Sequence, residues 1–223
     1  MVYIQLDGKW TSVEATPNLI FVICPGAGTY SNRIAYQYLE KSYQVIYICK
    51  SDKYSQSKYD KYPPNWESNS FVENTGEHLG GISQIVSDYI KRNYIPEAIM
   101  CGSRGGQVTL GKIWESFWRG PCLVINAGCL TSKTYIPKEV LVLFIIMEND
   151  YFTSVNTVEK VKILFDRYKS NTTQNGFIFY LPRECHMPNF NNKKVVLKYG
   201  INLITNKQSN ENITNINMLL TKI

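Results

Sequence analysis

Six short runs of apolar residues recur along the chain, and most of them lack the polar alternation of a half-exposed strand. Leu19-Ile20-Phe21-Val22-Ile23-Cys24 is continuous, as are Cys122-Leu123-Val124-Ile125 and Val140 to Met147. Runs of this length, rich in β-branched residues and without alternation, predict strands buried on both faces, as in a parallel sheet. Gln44 to Cys49, Glu97 to Cys101 and Phe177 to Leu181 complete the set. Between them the period changes from two to about 3.6. Leu79, Ile82, Ile85, Val86, Tyr89 and Ile90 form an apolar stripe that predicts a helix over about 76–93. Ser31 is placed to cap a helix that buries Ile34, Ala35, Tyr38 and Leu39, and further helices are expected over 107–118, 155–169 and 193–205. Strands alternating with helices imply a parallel sheet covered on both sides, an α/β fold. Residues 1–206 are read as one domain. Its polar, aromatic stretch 50–75 is a lid-like loop, and an Asn-rich tail follows over 207–223.

Composition narrows the function classes. The chain has 223 residues, 44% of them hydrophobic and 19% charged, which suits a globular fold with a full core. The net charge of +6 is spread out, so no nucleic-acid surface is expected. No run reaches the roughly 20 apolar residues of a membrane span. The first residues, Met1 to Asp7, lack a basic region and an apolar signal core, so a cytoplasmic protein is expected. The six cysteines lack metal-like spacing. Cys24, Cys49 and Cys101 close predicted strands, and buried free thiols are the reading.

The chemistry-bearing residues cluster where strands end. Ser103 lies in Cys101-Gly102-Ser103-Arg104-Gly105-Gly106, between a predicted strand and a predicted helix. A nucleophile held on a sharp strand-to-helix turn needs small neighbours in such a setting. Asp150 follows the Val140–Met147 run, with Glu148 as its competitor, and His186 follows Phe177–Leu181 in Arg183-Glu184-Cys185-His186. A serine attacks a carbonyl only when a near-neutral base takes its proton and a third group orients that base. The chain has two histidines, and His78 belongs to a helix start before the serine, which leaves His186 as the candidate base. Cys24-Pro25-Gly26-Ala27-Gly28, after the first strong strand, could aim the Ala27 or Gly28 amide at an oxyanion, with the Arg104 amide as second donor. The glycines match neither GxGxxG nor a phosphate-binding loop, so no nucleotide site is expected.

On these residues the chain resembles the α/β-hydrolase superfamily over about 19–205. The resemblance implies the α/β-hydrolase fold, with a mostly parallel central sheet and helices on both faces. It implies Ser103 as nucleophile, Asp150 as acid, His186 as base, and Ala27 and Arg104 as oxyanion-hole amides. Cys101 stands where the family usually has a small glycine, and Pro25-Gly26 where many members have His-Gly. With no large insertion after Ser103, the chain is more similar to the compact esterase, thioesterase and dienelactone-hydrolase-like branches than to lidded lipases. The expected activity is cleavage of an ester or thioester of a small or acylated substrate, with no cofactor and no metal. A non-catalytic binding protein or a peptidase of the same fold are the alternatives.

Overall fold

The computed structural model describes residues 1–23, 37–48, 84–102, 109–125, 136–149 and 177–185, together with 163, 166, 197, 200–202, 204 and 205. Nine strands are described. Six of them, β3 (Leu19–Ile23), β4 (Gln44–Ile48), β5 (Ala98–Gly102), β7 (Cys122–Ile125), β8 (Val142–Asn149) and β9 (Phe177–Cys185), form one sheet in the order β4-β3-β5-β7-β8-β9. Every pairing in it is parallel. Each strand matches one of the apolar runs, and all five residues of β3 are buried.

Alternation across the sheet divides the core in two, because successive side chains point to opposite faces. Leu19, Phe21, Ile23, Ile99, Cys101, Cys122, Val124, Val142, Phe144 and Ile146 pack on one face with Val86, Tyr89 and Ile90 of the helix over 84–91 (α1). Ile113 and Trp114 join them there from a second helix, α2, π-helical over Thr109–Ile113 and α-helical over Trp114–Ser116. Ile20, Val22, Ala98, Met100, Leu123, Ile125, Leu143, Ile145 and Met147 face the other way. They meet Leu39 and Tyr43 from a 3-10 turn at Gln37–Lys41 and its C-terminal flank, and Leu197, Ile201 and Ile204 of α3, whose described helical residues are 197, 200–202 and 204. The sheet is therefore covered by helices on both faces, as the sequence predicts. Of the helix expected over 155–169, Ile163 and Asp166 are helical and exposed, consistent with positions off its apolar stripe.

A second sheet was not anticipated. β1 (Val2–Leu6) and β2 (Lys9–Val13) form an antiparallel hairpin, and β6 (Trp118–Arg119) pairs with β1 through Ile4↔Trp118 and Tyr3↔Arg119. The hairpin turns at Asp7-Gly8, both with positive φ (47° and 78°), as a two-residue type I′ turn requires. Val2, Ile4 and Trp118 enter the first core cluster. Arg119 fastens this sheet to its surroundings. Its guanidinium lies 3.9 Å from the centre of the Trp10 ring, its Nε donates to the Trp114 carbonyl, and its Nη1 pairs with Glu139 at 3.4 Å.

Three expectations need correction. The helix expected over Gln107 to Trp118 ends at Ser116, and Trp118 is a strand residue, because pairing with β1 outweighs its helical spacing from Trp114. The fifth strand of the sheet runs to Asn149 rather than Met147. The sixth runs to Cys185 rather than Leu181, with a register irregularity between Met147 and Asn149. Pro182 falls within that stretch, and proline, which cannot donate to a ladder, is tolerated in strands at such irregularities.

Candidate active site at the carboxyl edge of the sheet

The strand order determines where a ligand crevice can open. From β3 the chain crosses to β4 on one side, then returns past β3 to β5 on the other. Connections that leave in opposite directions make a switch point, and in open parallel sheets ligands bind outside the carboxyl ends of the strands there. The two strands concerned end level with each other, since Ile23 of β3 is paired with Cys101 of β5, and Gly102 follows. The next residues of the chain are Cys24-Pro25-Gly26-Ala27-Gly28 after β3 and Ser103-Arg104 after β5.

The other two candidates follow strands farther along the same edge. The row through Gly102, Ile125 and Ile145 runs straight across β5, β7 and β8. Beyond it β8 continues to Asn149, four residues further and about 13 Å at strand rise, and β9 keeps pace through the pairing Asn149↔Cys185. β8 and β9 thus extend past the last described residues of β5 and β7. The residues that follow this last pair are Asp150 and His186. Pairing brings together the strand ends that lead to the candidate acid and base, with β7 between them and the strand that leads to the candidate nucleophile.

Ser103, Arg104, Ala27, Asp150 and His186 lie outside the described residues, as do His78, the loop 50–75 and the tail 207–223. The residues beneath the candidate serine are described. Cys101 and Gly102 are buried, and the Cys101 thiol donates to the Leu123 carbonyl at 3.8 Å. Cys122, on the neighbouring strand and the same face, is fully enclosed, and neither cysteine is in a disulfide. Burial pushes the Cys122 thiol well above the ordinary value, and Cys101 adds to the rise. A thiol so placed is not a nucleophile at neutral pH. Among the described residues no group of three or more His, Cys, Asp and Glu side chains gathers to hold a metal, and no helix is long and apolar enough to cross a membrane.

Known structures share this fold. An uncharacterised Bacillus cereus protein superimposes with a TM-score of 0.61 at 14% identity over 92% of this chain, which spans 64% of the length of that protein. Thermus thermophilus TT1662 gives 0.55 at 15% identity over 92% of this chain and 98% of its own. A Xanthomonas campestris protein described as an α/β serine hydrolase without a lid gives 0.51 at 15% identity over 90% of this chain and 86% of its own. The chain has the α/β-hydrolase fold. No family model matches its sequence, and no curated protein does so either. With identities this low the likeness is one of backbone. In an α/β-hydrolase fold the chemistry is carried on the loops after the strands, at the edge just described.

Proposed function

We propose that the chain is a serine hydrolase that cleaves an ester or thioester through an acyl-enzyme. The observation that carries this reading is the coincidence of three strand ends with three residues. β5, β8 and β9 end at Gly102, Asn149 and Cys185 on the same edge of the sheet, and the chain continues from them with Ser103, Asp150 and His186. Consecutive Cα atoms lie 3.8 Å apart, so each candidate is one step from a described strand end. The order serine, acid, histidine is the one this fold uses.

In this reading Ser103 Oγ attacks the substrate carbonyl while His186 accepts its proton. Asp150 holds the imidazole in the required tautomer and stabilises its positive charge. The Ala27 and Arg104 amides receive the oxyanion of the tetrahedral intermediate, Ala27 from the loop after β3 across the switch point. His186 then returns the proton to the leaving alcohol or thiol. Water, activated by the same imidazole, releases the acid and regenerates Ser103. Every proton passes through His186, and no redox partner is needed. Cys101 and Cys122 are buried thiols outside any disulfide, which supports a reducing, cytoplasmic setting.

The test is hydrolysis of p-nitrophenyl acyl esters by the purified protein. Saturable turnover, lost in Ser103→Ala with the fold retained, is the expected result. Equal turnover by Ser103→Ala would remove the serine from the mechanism.

A further inference from the structure

β2 is the outer strand of the small sheet, since β1 lies between it and β6. Its hydrogen bonding follows from that of its neighbour. The Gln5 amide donates at 3.2 Å to the carbonyl of Phe117, the residue before β6. Gln5 therefore exchanges no backbone bonds with its partner Trp10, whose own N–H and C=O point away from β1. By alternation Ser12, opposite Tyr3, does the same, while Lys9, Thr11 and Val13 face β1. Among the described residues the outward amides and carbonyls of Trp10 and Ser12 have no partner.

The side chains leave this edge open. The Trp10 ring lies 3.9 Å from the Arg119 guanidinium of β6, so it leans back across β1. The Ser12 hydroxyl turns to Met1 Sδ at 2.8 Å, toward the start of β1. Lys9, Thr11 and Ser12 are exposed to solvent. Edge strands are commonly guarded by a proline, a bulge or a charge. From Trp10 to Val13 β2 has none of these. Its register with β1 is unbroken, and its one charge, Lys9, sits at the hairpin end.

We propose that β2 pairs antiparallel with β2 of a second copy of this chain, about a two-fold axis at Thr11. Trp10 of one copy then faces Ser12 of the other, so that each outward amide meets an outward carbonyl. The two Thr11 residues face each other as a pair without mutual hydrogen bonds. Charge selects this register. It sets Lys9 opposite Val13 and keeps the two lysines at opposite ends of the pairing, whereas a slip of two residues toward the turn makes them diagonal neighbours. The product is a continuous sheet in the order β6-β1-β2-β2-β1-β6. A five-residue strand alone buries less than the roughly 1,200 Å² of a stable interface, so the dimer is weak and concentration-dependent. None of this depends on the chemistry proposed for Ser103.

Sedimentation velocity of the full chain over a range of concentrations reads the association. The wild type should pass from monomer to dimer as concentration rises. Thr11→Lys and Thr11→Glu each set like charges across the axis, and each should stay monomeric where the wild type dimerises. Mixed in equal amounts they should associate again, because opposite charges then face each other. Thr11 is exposed, so both substitutions should leave the fold intact, which circular dichroism checks. Ser12→Pro removes an outward N–H that β1 does not use and should also abolish the dimer, whereas Ser12→Ala should keep it. A wild type that is monomeric throughout overturns the proposal. So does a dimer that survives Thr11→Lys, Thr11→Glu and Ser12→Pro, and failure of the mixture to associate overturns the axis at Thr11.

Discussion

The two edges of the six-stranded sheet are lined by different kinds of residue. At the amino edge the chain is tied to itself where β3, β4 and β5 begin. The Asn18 amide donates to Glu97 Oε2, the Ile95 amide to Thr16 Oγ1, and the Gln44 amide to the Asn18 carbonyl. Tyr43 is bonded to α3, and Thr16 and Pro121 lead from the small antiparallel sheet into β3 and β7. At the carboxyl edge the strands run into glycine, serine, acid and histidine at Gly102-Ser103, Asn149-Asp150 and Cys185-His186. On the proposed function, the amino edge holds the strands in register and the residues that follow the carboxyl ends carry the chemistry. Stability and activity should then respond to different substitutions.

That separation can be broken most severely at Ser103. Ser103→Ala should lower kcat on the order of 10⁵-fold, as loss of a triad member does. It should leave the thermal midpoint unchanged in a calorimetric scan. At the other edge, Trp118→Ala should destabilise by about 3–5 kcal/mol in urea titration, since it empties a fully buried indole that joins the second sheet to the core. The fraction that remains folded should retain normal kcat. Thr16→Ala, which leaves the Ile95 amide without its side-chain acceptor, should cost about 1–3 kcal/mol by the same titration. Tyr43→Phe should cost about 1 kcal/mol.

Tyr43 also has a pH signature. Burial raises its phenol above the ordinary value, the Glu97 charge raises it further, and a hydrogen bond with Thr205 lowers it in part. The folded chain therefore keeps this proton to higher pH than the unfolded chain. The associated stability is complete below about pH 10 and is lost as pH rises through the folded value. Tyr43→Phe should flatten the fall in stability measured from pH 9 upward. If Tyr43→Phe or Thr16→Ala lowered kcat as strongly as Ser103→Ala, the two edges would not be separable.

Sequence reading succeeded where the physics is local and failed where it is not. All six parallel strands were legible because a strand covered on both faces must be apolar at successive positions, as Leu19–Ile23 and Val142–Met147 are. Their carboxyl ends were read short at Met147 and Leu181. The ladder carries on through the polar Glu148-Asn149 and through Pro182 to Cys185, supported by pairing with a neighbour rather than by burial pattern. The amino-terminal hairpin has a legible signal in Asp7-Gly8 between alternating residues. β6 had none, since Trp118, at helical spacing from Trp114, and Arg119 become a strand only when Ile4 and Tyr3 arrive beside them from far away in sequence. For the candidate site, residue type and order pointed to Ser103, Asp150 and His186. The structure contributes the edge, the strand order and the Asn149↔Cys185 pairing that leads into two of them.

The central claim is that Ser103 is an activated nucleophile. The most direct measurement is labelling of the purified, folded protein with a fluorophosphonate, followed by peptide mass spectrometry, with Ser103→Ala and His186→Gln alongside. The account predicts one phosphonylated residue, Ser103, with no label in Ser103→Ala and strongly slowed labelling in His186→Gln. A folded protein that takes no label, or takes it elsewhere, would contradict the account.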